Sequence, residues 1–423
     1  MIAPTTVLHP SVSTLQQSNF FRWRGHLDRE QVPPVIAIAG SRGKTSVLRA
    51  AEAIFAGASL RTATRSSGGV EIEGESQRGE ISPWARALTR LRSGGLDVAF
   101  QEIDWVSVQA TAAGELTYPV LAVTNLCANN DACLATPETL LARKSLARIR
   151  ASLPSTAQLV LNAHDFALAG DDGEVSRRHY LVGMTPDAPM LRRHLAKGGN
   201  ACYVQNHAVM IAENGMPIAV QATSDIPWFR NESVPFSVQN GLMATAIAHA
   251  CGIGIAQIRE GLTAYAPRAA TMPGSFNVFD AGTATVIVDR PTHPWFLRTS
   301  IRGAAGLGDR RQVRVVGPML SVSTEDMNEV GRLLGRQSGV IIMHGDWQYD
   351  RLGLFKLGVA MNDVPPVILQ AADERRAIIH GLEILRDDDV LLILAENPAA
   401  AVRLVAGQVR RVAEVLQQPA GAA

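Results

Sequence analysis

Seven consecutive residues, Gly40-Ser41-Arg42-Gly43-Lys44-Thr45-Ser46, combine the groups needed to hold a chain of phosphates. Glycines let a backbone turn tightly and bring its N–H groups onto an anion. Lys44 supplies a point positive charge for β- and γ-phosphates, and the Thr45 hydroxyl suits Mg²⁺, a hard cation that prefers oxygen ligands. The general phosphate-loop pattern has a glycine five residues before its second one; here that position is Ile38, so the loop is a short form. The competing reading is a plain glycine turn between a core strand and a helix, with Lys44 on the surface.

The flanking segments fit a cradle. Val35-Ile36-Ala37-Ile38-Ala39 is an apolar run rich in β-branched residues, as a buried strand requires, and Val47–Phe55 has a helical pattern. Strand, loop and helix start together aim backbone N–H groups and the positive helix end at an anion. Further on, strands are expected at Leu60–Thr64, Leu96–Glu102, Val120–Asn125 and Gln158–Asn162, with a turn at Ser66–Gly69 and a helix near Trp84–Leu91. Pro137–Arg150 reads as a helix with Thr136 as its N-cap. Alternating strands and helices imply a largely parallel sheet with covered faces. Ala201–Ala212 and Met216–Gln221 read as strands around an Asn214-Gly215 turn, and Ser237–Cys251 and Ile255–Tyr265 as helices.

A boundary is expected between Pro267 and Gly274. Beyond it, Phe276–Phe279 and Thr283–Asp289 read as paired strands. Strands then alternate with helices: Val313–Val316, Ser323–Gln337 (helix), Val340–Met343, Pro366–Gln370, Asp373–Leu385 (helix), Val390–Leu394 and Pro398–Leu416 (helix). This second α/β region has no glycine-rich phosphate loop of its own. The cluster Phe20-Phe21-Arg22-Trp23-Arg24 suits an arm laying its aromatics on the main domain better than a nucleic-acid patch.

The loop, Glu102 at a strand end, Thr124-Asn125, Lys144, Asn240 and Asp289 occur in an order that resembles the Mur ligase superfamily, ATP-dependent amide ligases whose relatives include folylpolyglutamate synthase and the ligase half of cyanophycin synthetase. The resemblance runs from residue 35 to about 415. The run Ala371–Ile378 followed by Asp387–Ala395 is most similar to cyanophycin synthetase, and Arg42 in the loop is similar to the poly-γ-glutamate synthase branch.

The resemblance implies a P-loop ATPase domain with a mainly parallel sheet, followed by a C-terminal Rossmann-like α/β domain. The expected organisation is an N-terminal arm over 1–33, a central ATP-binding domain over 34–270 and a C-terminal domain over 271–423. It also implies that ATP and Mg²⁺ are bound and that a carboxylate is activated as an acyl phosphate for attack by an amine. In that scheme Lys44 and Arg42 clamp the transferring phosphoryl group, and Gly40, Ser41, Gly43, Thr45 and Ser46 complete the cradle. Glu102 joins Thr45 on Mg²⁺, Asn240 reads the adenine edge, and Asp289 contacts the ribose. Lys144 matches a lysine often carbamylated to support a second Mg²⁺; otherwise it is a surface lysine beside Arg143.

Three positions depart from the family pattern. Asn130, after Asn129, stands where a metal-binding histidine is expected, and an amide oxygen is a weak Mg²⁺ ligand. Ser275 follows Gly274 where an arginine is expected. His293 replaces an asparagine and reads as an altered nucleotide contact. These departures keep open a degenerate nucleotide-binding subunit and a poly-γ-glutamate-type ligase beside the main reading. Only 34 residues precede the first strand, so neither the family's UDP-substrate domain nor an ATP-grasp half is expected.

Composition sets outer limits. The 423 residues are 47% hydrophobic and 19% charged, which suits folded domains and excludes general disorder. A net charge of +1 gives no bulk field for nucleic acid. Cys127, Cys133, Cys202 and Cys251 lack metal-ligand spacing, and no apolar leader or span is present, so free thiols in a reducing cytoplasm are expected. The expected partners are a small-molecule or peptide substrate with carboxylate and amine, with room for a homo-oligomer or a partner subunit.

Overall fold

Ile36 and Ile38 point to one side of the strand Val35–Ala39 (β1) and its alanines to the other, and all five residues are buried. A strand covered on both faces belongs in the middle of a parallel sheet. The computed structural model, which describes residues 12–27, 32–79, 82–126, 136–168, 176, 178–308 and 311–416, places it there. The chain divides into two compact units, Met1–Glu232 with Ser237–Ala266, and Ser233–Phe236 with Pro267–Ala423.

In the first unit the strands after β1 are β2 (Thr62–Ser66), β3 (Gly69–Ile72), β4 (Glu75–Ser76), β5 (Val98–Glu102), β6 (Val120–Val123), β7 (Gln158–Asn162) and β8 (Tyr180–Gly183). They are followed by β9 (Asn200–Gln205), β10 (Ala208–Glu213) and β11 (Met216–Ala222). Among the described residues the sheet has eleven strands in the order β11-β10-β9-β8-β7-β6-β1-β5-β2-β3-β4. From β2 through β9 across the centre every pairing is parallel, and antiparallel hairpins close both edges. Ile38 lies beside Glu102 and Ala39 beside Val123, so the carboxyl ends of β1, β5 and β6 meet at one edge.

The helix Lys44–Gly57 covers β1 with Val47, Leu48, Ala51, Ile54 and Phe55. It meets the helix Ile255–Ala264 almost backbone to backbone, since a Cβ on Gly261 would lie 2.6 Å from Ile54 Cα. The aromatic-basic cluster Phe20–Arg24 lies on the helix Val12–Gly25. Phe20 is wholly buried and edge-on to Phe55, which is edge-on to Phe100 of β5. Arg24, also buried, pairs with Asp97 at 2.6 Å and donates to the Leu96 carbonyl.

Asp97 also accepts from the Arg61 backbone and guanidinium. Burial pushes its carboxyl up, but these hydrogen bonds and the charges of Arg24 and Arg61 outweigh that and hold it below the usual carboxylate value. A depressed folded value stabilises the fold above the unfolded pKa, and the benefit is lost as pH falls through the folded one. We expect Asp97→Asn to cost about 3–5 kcal/mol at neutral pH, because a buried cation loses its partner. The gap from the parent should narrow on acidification, as read by denaturant midpoints across pH.

The second unit holds β12 (Asn277–Ala281), β13 (Ala284–Asp289), β14 (Gln312–Val316), β15 (Gly339–Met343), β16 (Val367–Gln370) and β17 (Val390–Leu394). The order is β12-β13-β17-β14-β15-β16, parallel except for the β12–β13 hairpin. The helices Pro294–Ala305, Met327–Leu334 and Tyr349–Ala360 pack on one face, and Glu374–Glu383 and Pro398–Leu416 on the other.

Several elements differ from expectation. Ala201–Ala212 is two strands, because Asn206 and His207 both take left-handed φ values, 50° and 56°, and turn the chain back. The helix expected over Ser323–Gln337 spans only Met327–Leu334; Ser323 and Asp326 bond each other in a turn ahead of it. Strand β8 and the helices Pro189–Ala196, Pro294–Ala305 and Tyr349–Ala360 were not expected.

Candidate active site

The chain leaves β1 at Gly40 and enters the helix at Lys44, between the ends of β5 and β6. Gly40 has φ +139° and Gly43 φ +84°, both in the region that favours glycine. A Cβ on Gly40 would lie 2.0 Å from Thr124 Oγ1, and one on Gly43 would lie 2.7 Å from Asn240 Oδ1. The loop is therefore pressed on one side by the end of β6 and on the other by the helix Pro235–Ala250 that carries Asn240. Spacing along the chain gave no reason to expect that contact.

Thr124 and Asn125 fix the loop's shape. Thr124 Oγ1 donates to the Arg42 carbonyl at 2.6 Å. The Asn125 amide accepts from the Arg42 N–H at 3.1 Å and donates to the same residue's carbonyl at 3.0 Å. Ser41 donates from its backbone N–H to the Asn125 carbonyl and from its hydroxyl to the Leu126 carbonyl. Asn162 donates to the Thr124 carbonyl from β7. The sequence marked Thr124-Asn125 as a motif but gave it no task; in the structure it braces the Gly40–Gly43 loop.

Lys44 Nζ donates to the Gly40 carbonyl at 2.9 Å, folding the ammonium over the loop it follows. Burial pulls this ammonium below the usual lysine value, and the Glu102 and Asp104 carboxylates oppose the shift. No side chain caps the helix that begins at Lys44, so its first-turn N–H groups stay available. Thr45 and Ser46 lie partly buried in that first turn.

Glu102 ends β5 beside Ile38. Its Oε2 accepts from the Ser67 N–H at 3.1 Å, from the tip of the β2–β3 hairpin. Its Oε1 is buried without a hydrogen-bond partner. A buried carboxylate oxygen without a donor is costly in isolation and suits a hard cation. Among the described residues no group of three or more His, Cys, Asp or Glu could hold a metal, so Thr45 and Glu102 would share an ion with the phosphates themselves.

The remaining sequence candidates are placed as follows. Lys144, on the helix Pro137–Ser152, is exposed, and its side chain has no hydrogen bond or ion pair among the described residues. Thr136 caps that helix as expected, accepting from the Thr139 N–H. Asn129, Asn130, Cys127 and Cys133 lie outside the described residues. In the second unit Asp289 is wholly buried, and its carboxylate accepts from the Phe276 N–H at 3.3 Å and the Ser300 hydroxyl at 2.6 Å. His293 stacks on Trp295 at 4.7 Å with Nδ1 3.5 Å from Asp326. Gly274 has φ +73°, and a Cβ there would press on Arg290 and Pro398, while Ser275 follows it.

Known proteins resemble this chain in sequence and in fold. The cyanophycin synthetase of Synechocystis is 23% identical over 387 residues, covering 88% of this chain and 43% of that one. The UDP-N-acetylmuramate–L-alanine ligase of Bordetella parapertussis is 25% identical over 391 residues, covering 88% and 77%. A folylpolyglutamate synthase/dihydrofolate synthase from Yersinia pestis, solved with AMPPNP and Mn ion, superimposes with a TM-score of 0.57 at 17% identity, covering 96% and 95%. Over most of its length the chain is similar in sequence to these ligases, and its fold is that of the Mur ligase superfamily.

This Mur ligase relative spans less than half the length of the cyanophycin synthetases it matches. No family model matches it. The α/β architecture expected from the sequence is the Mur ligase fold. No helix among the described residues is long and apolar enough to cross a membrane.

Proposed function

We propose that this chain is an ATP- and Mg²⁺-dependent ligase that joins a carboxylate to the amine of an amino acid or peptide. One observation carries the reading: the Lys44 ammonium and the unpartnered Glu102 Oε1 share one sheet edge with a braced, glycine-built loop. A plain structural turn has no use for a partly desolvated cation beside a carboxylate oxygen that lacks a donor. A nucleotide triphosphate with a divalent ion uses both. We assign this role to the 34–270 region, with 271–423 as its companion domain, in a reducing cytoplasm where the buried thiols Cys202 and Cys251 stay free.

In this reaction the substrate carboxylate takes the γ-phosphoryl group and ADP departs. The amine then adds to the acyl phosphate, loses a proton, and expels inorganic phosphate as the amide forms. Lys44 and the first-turn amides would neutralise charge on the transferring group, and Thr124 and Asn125 would hold their geometry. Thr45 and Glu102 would hold Mg²⁺, which supplies charge neutralisation on the phosphates. Asn240, against Gly43, stands where a nucleoside could meet it. Asp289, buried with its carboxylate engaged by Phe276 and Ser300, holds the β13 end within the second unit.

The deciding measurement is phosphate release from ATP over a panel of amino acids and short peptides, with Lys44→Ala as control. Release that needs both a carboxylate and an amine, and vanishes in the variant, supports the ligase. Tight ATP binding without substrate-dependent release across the panel would instead support a nucleotide-binding subunit. Glu102→Gln should raise the Mg²⁺ concentration needed for half-maximal nucleotide binding by about tenfold, since a neutral amide is a poorer ligand. Calorimetric titrations at several Mg²⁺ concentrations would read this.

A further inference from the structure

The helix Tyr349–Ala360 is apolar on two opposite sides, and among the described residues one of them is covered. Phe355, Gly358 and Val359 are buried against the helix Met327–Leu334, where a Cβ on Gly358 would press on the Asn328 carbonyl. The other side carries Leu357, Ala360 and Met361, which spacings of three and four residues put on one stripe. Val364 and Val367 follow in the short connection to β16 and at its start. Leu357, Met361, Val364 and Val367 are each more than half exposed. Strand β16 is itself the edge of the second sheet among the described residues. A helix that is apolar on all sides ordinarily lies in an interior.

Two further features single out the open side. Gly353, one turn before Leu357, is exposed, and nothing lies within 4 Å of where its Cβ would stand. A mid-helix glycine costs helix stability, and no packing within this chain requires this one. A second backbone brought close to the helix does require it. From residue 352 to residue 372 the sequence carries only two charges, Lys356 and Asp363, and they are of opposite sign. Both side chains are exposed, and neither has a hydrogen bond or ion pair among the described residues. They flank the stripe, Lys356 just before Leu357 and Asp363 just after Met361.

We propose that this patch is a homodimer contact, in which a second copy of the chain lays the same helix antiparallel against it. The two-fold axis passes midway between Leu357 and Met361. It sets Leu357 of each copy beside Met361 of the other, Gly353 beside Val364, and Lys356 beside Asp363. A two-fold contact uses one patch twice, so the patch must complement itself. Opposite charges at nearly equal distances from the axis meet that condition; like charges would oppose it.

The apolar stripe supplies the attraction, and the charges set the register, since exposed ion pairs add little affinity. Four exposed apolar side chains a copy bury less than the roughly 1,200–2,000 Å² of a stable complex, so the dimer is weak and reversible. The contact stands apart from the phosphate loop and does not rest on the ligase reading. Sedimentation equilibrium tests it, on the full chain from low micromolar to several hundred micromolar. The mass should rise from that of one 45.3 kDa chain toward twice that value.

Leu357→Glu should give a single-chain mass throughout, with far-ultraviolet circular dichroism unchanged. Gly353→Leu favours the helix within one chain, yet it should weaken the dimer by about tenfold, because the new side chain fills the space the second copy enters. Lys356→Glu and Asp363→Lys should each raise the dissociation constant about tenfold, since each change sets like charges together twice. The double variant Lys356→Glu/Asp363→Lys restores both pairs with their signs exchanged, and should return to within about threefold of the parent. A single-chain mass at every concentration, a dimer indifferent to Leu357→Glu, or a double variant no tighter than its singles would overturn the proposal.

Discussion

Lys44→Ala is expected to lower substrate-dependent phosphate release by about two to three orders of magnitude, the usual loss when one preorganised charge aimed at a transition state is removed. The fold should survive, because Lys44 makes one hydrogen bond, to the Gly40 carbonyl, and its ammonium is partly desolvated. Removing a desolvated charge relieves a cost as well as ending a contact, so the thermal midpoint should move little. Nucleotide affinity should fall less than turnover, since the first-turn amides and the braced loop remain. Steady-state phosphate release beside AMPPNP calorimetry separates the two. An alanine variant with parental turnover would mean that the loop's cation does not serve the chemistry.

Gly40→Ala should be the more damaging change to the cradle. The added methyl meets Thr124 Oγ1 at 2.0 Å, far inside contact distance, at a backbone angle of φ +139° that L-residues seldom adopt. Backbone strain of this type costs about 1–3 kcal/mol. Thr124 cannot yield freely, because its hydroxyl holds the Arg42 carbonyl. We expect lower stability together with at least a tenfold loss of AMPPNP affinity. Gly94→Ala is a suitable control, since that glycine has φ +78° but nothing within 4 Å of the new methyl. It should lose stability through strain alone and keep nucleotide binding. Equal affinities for the Gly40 variant and the parent would show that the loop does not form the nucleotide site.

The sequence made the strand–loop–helix legible because each part has a local cause: β-branched residues for β1, glycines for the turn, an alanine-rich pattern for the helix. The parallel strands of both sheets, β8 apart, were legible for the same reason, as short apolar runs between turn residues. The missed elements lack such marks. Asn206-His207 turns the chain without a glycine, and the helix Pro294–Ala305 opens with Trp295 and Phe296 and continues through Arg, Thr and Ser. Among site residues, those carried by the loop could be read from spacing alone. The contact of Asn240 with Gly43, the brace from Asn125, and the burial of Asp289 arise from distant segments folding together, and no local pattern encodes them. Lys144, by contrast, looked equally suited to surface and site, and its exposed position reflects the polar face of its helix.

The close approach at Gly261 has a mechanical consequence. With Ile54 Cα 2.6 Å from where a Cβ would stand, the helix behind the phosphate loop is keyed into its neighbour. A methyl at position 261 would therefore press on the same helix that begins at Lys44, and a close-packed interior does not yield easily to that.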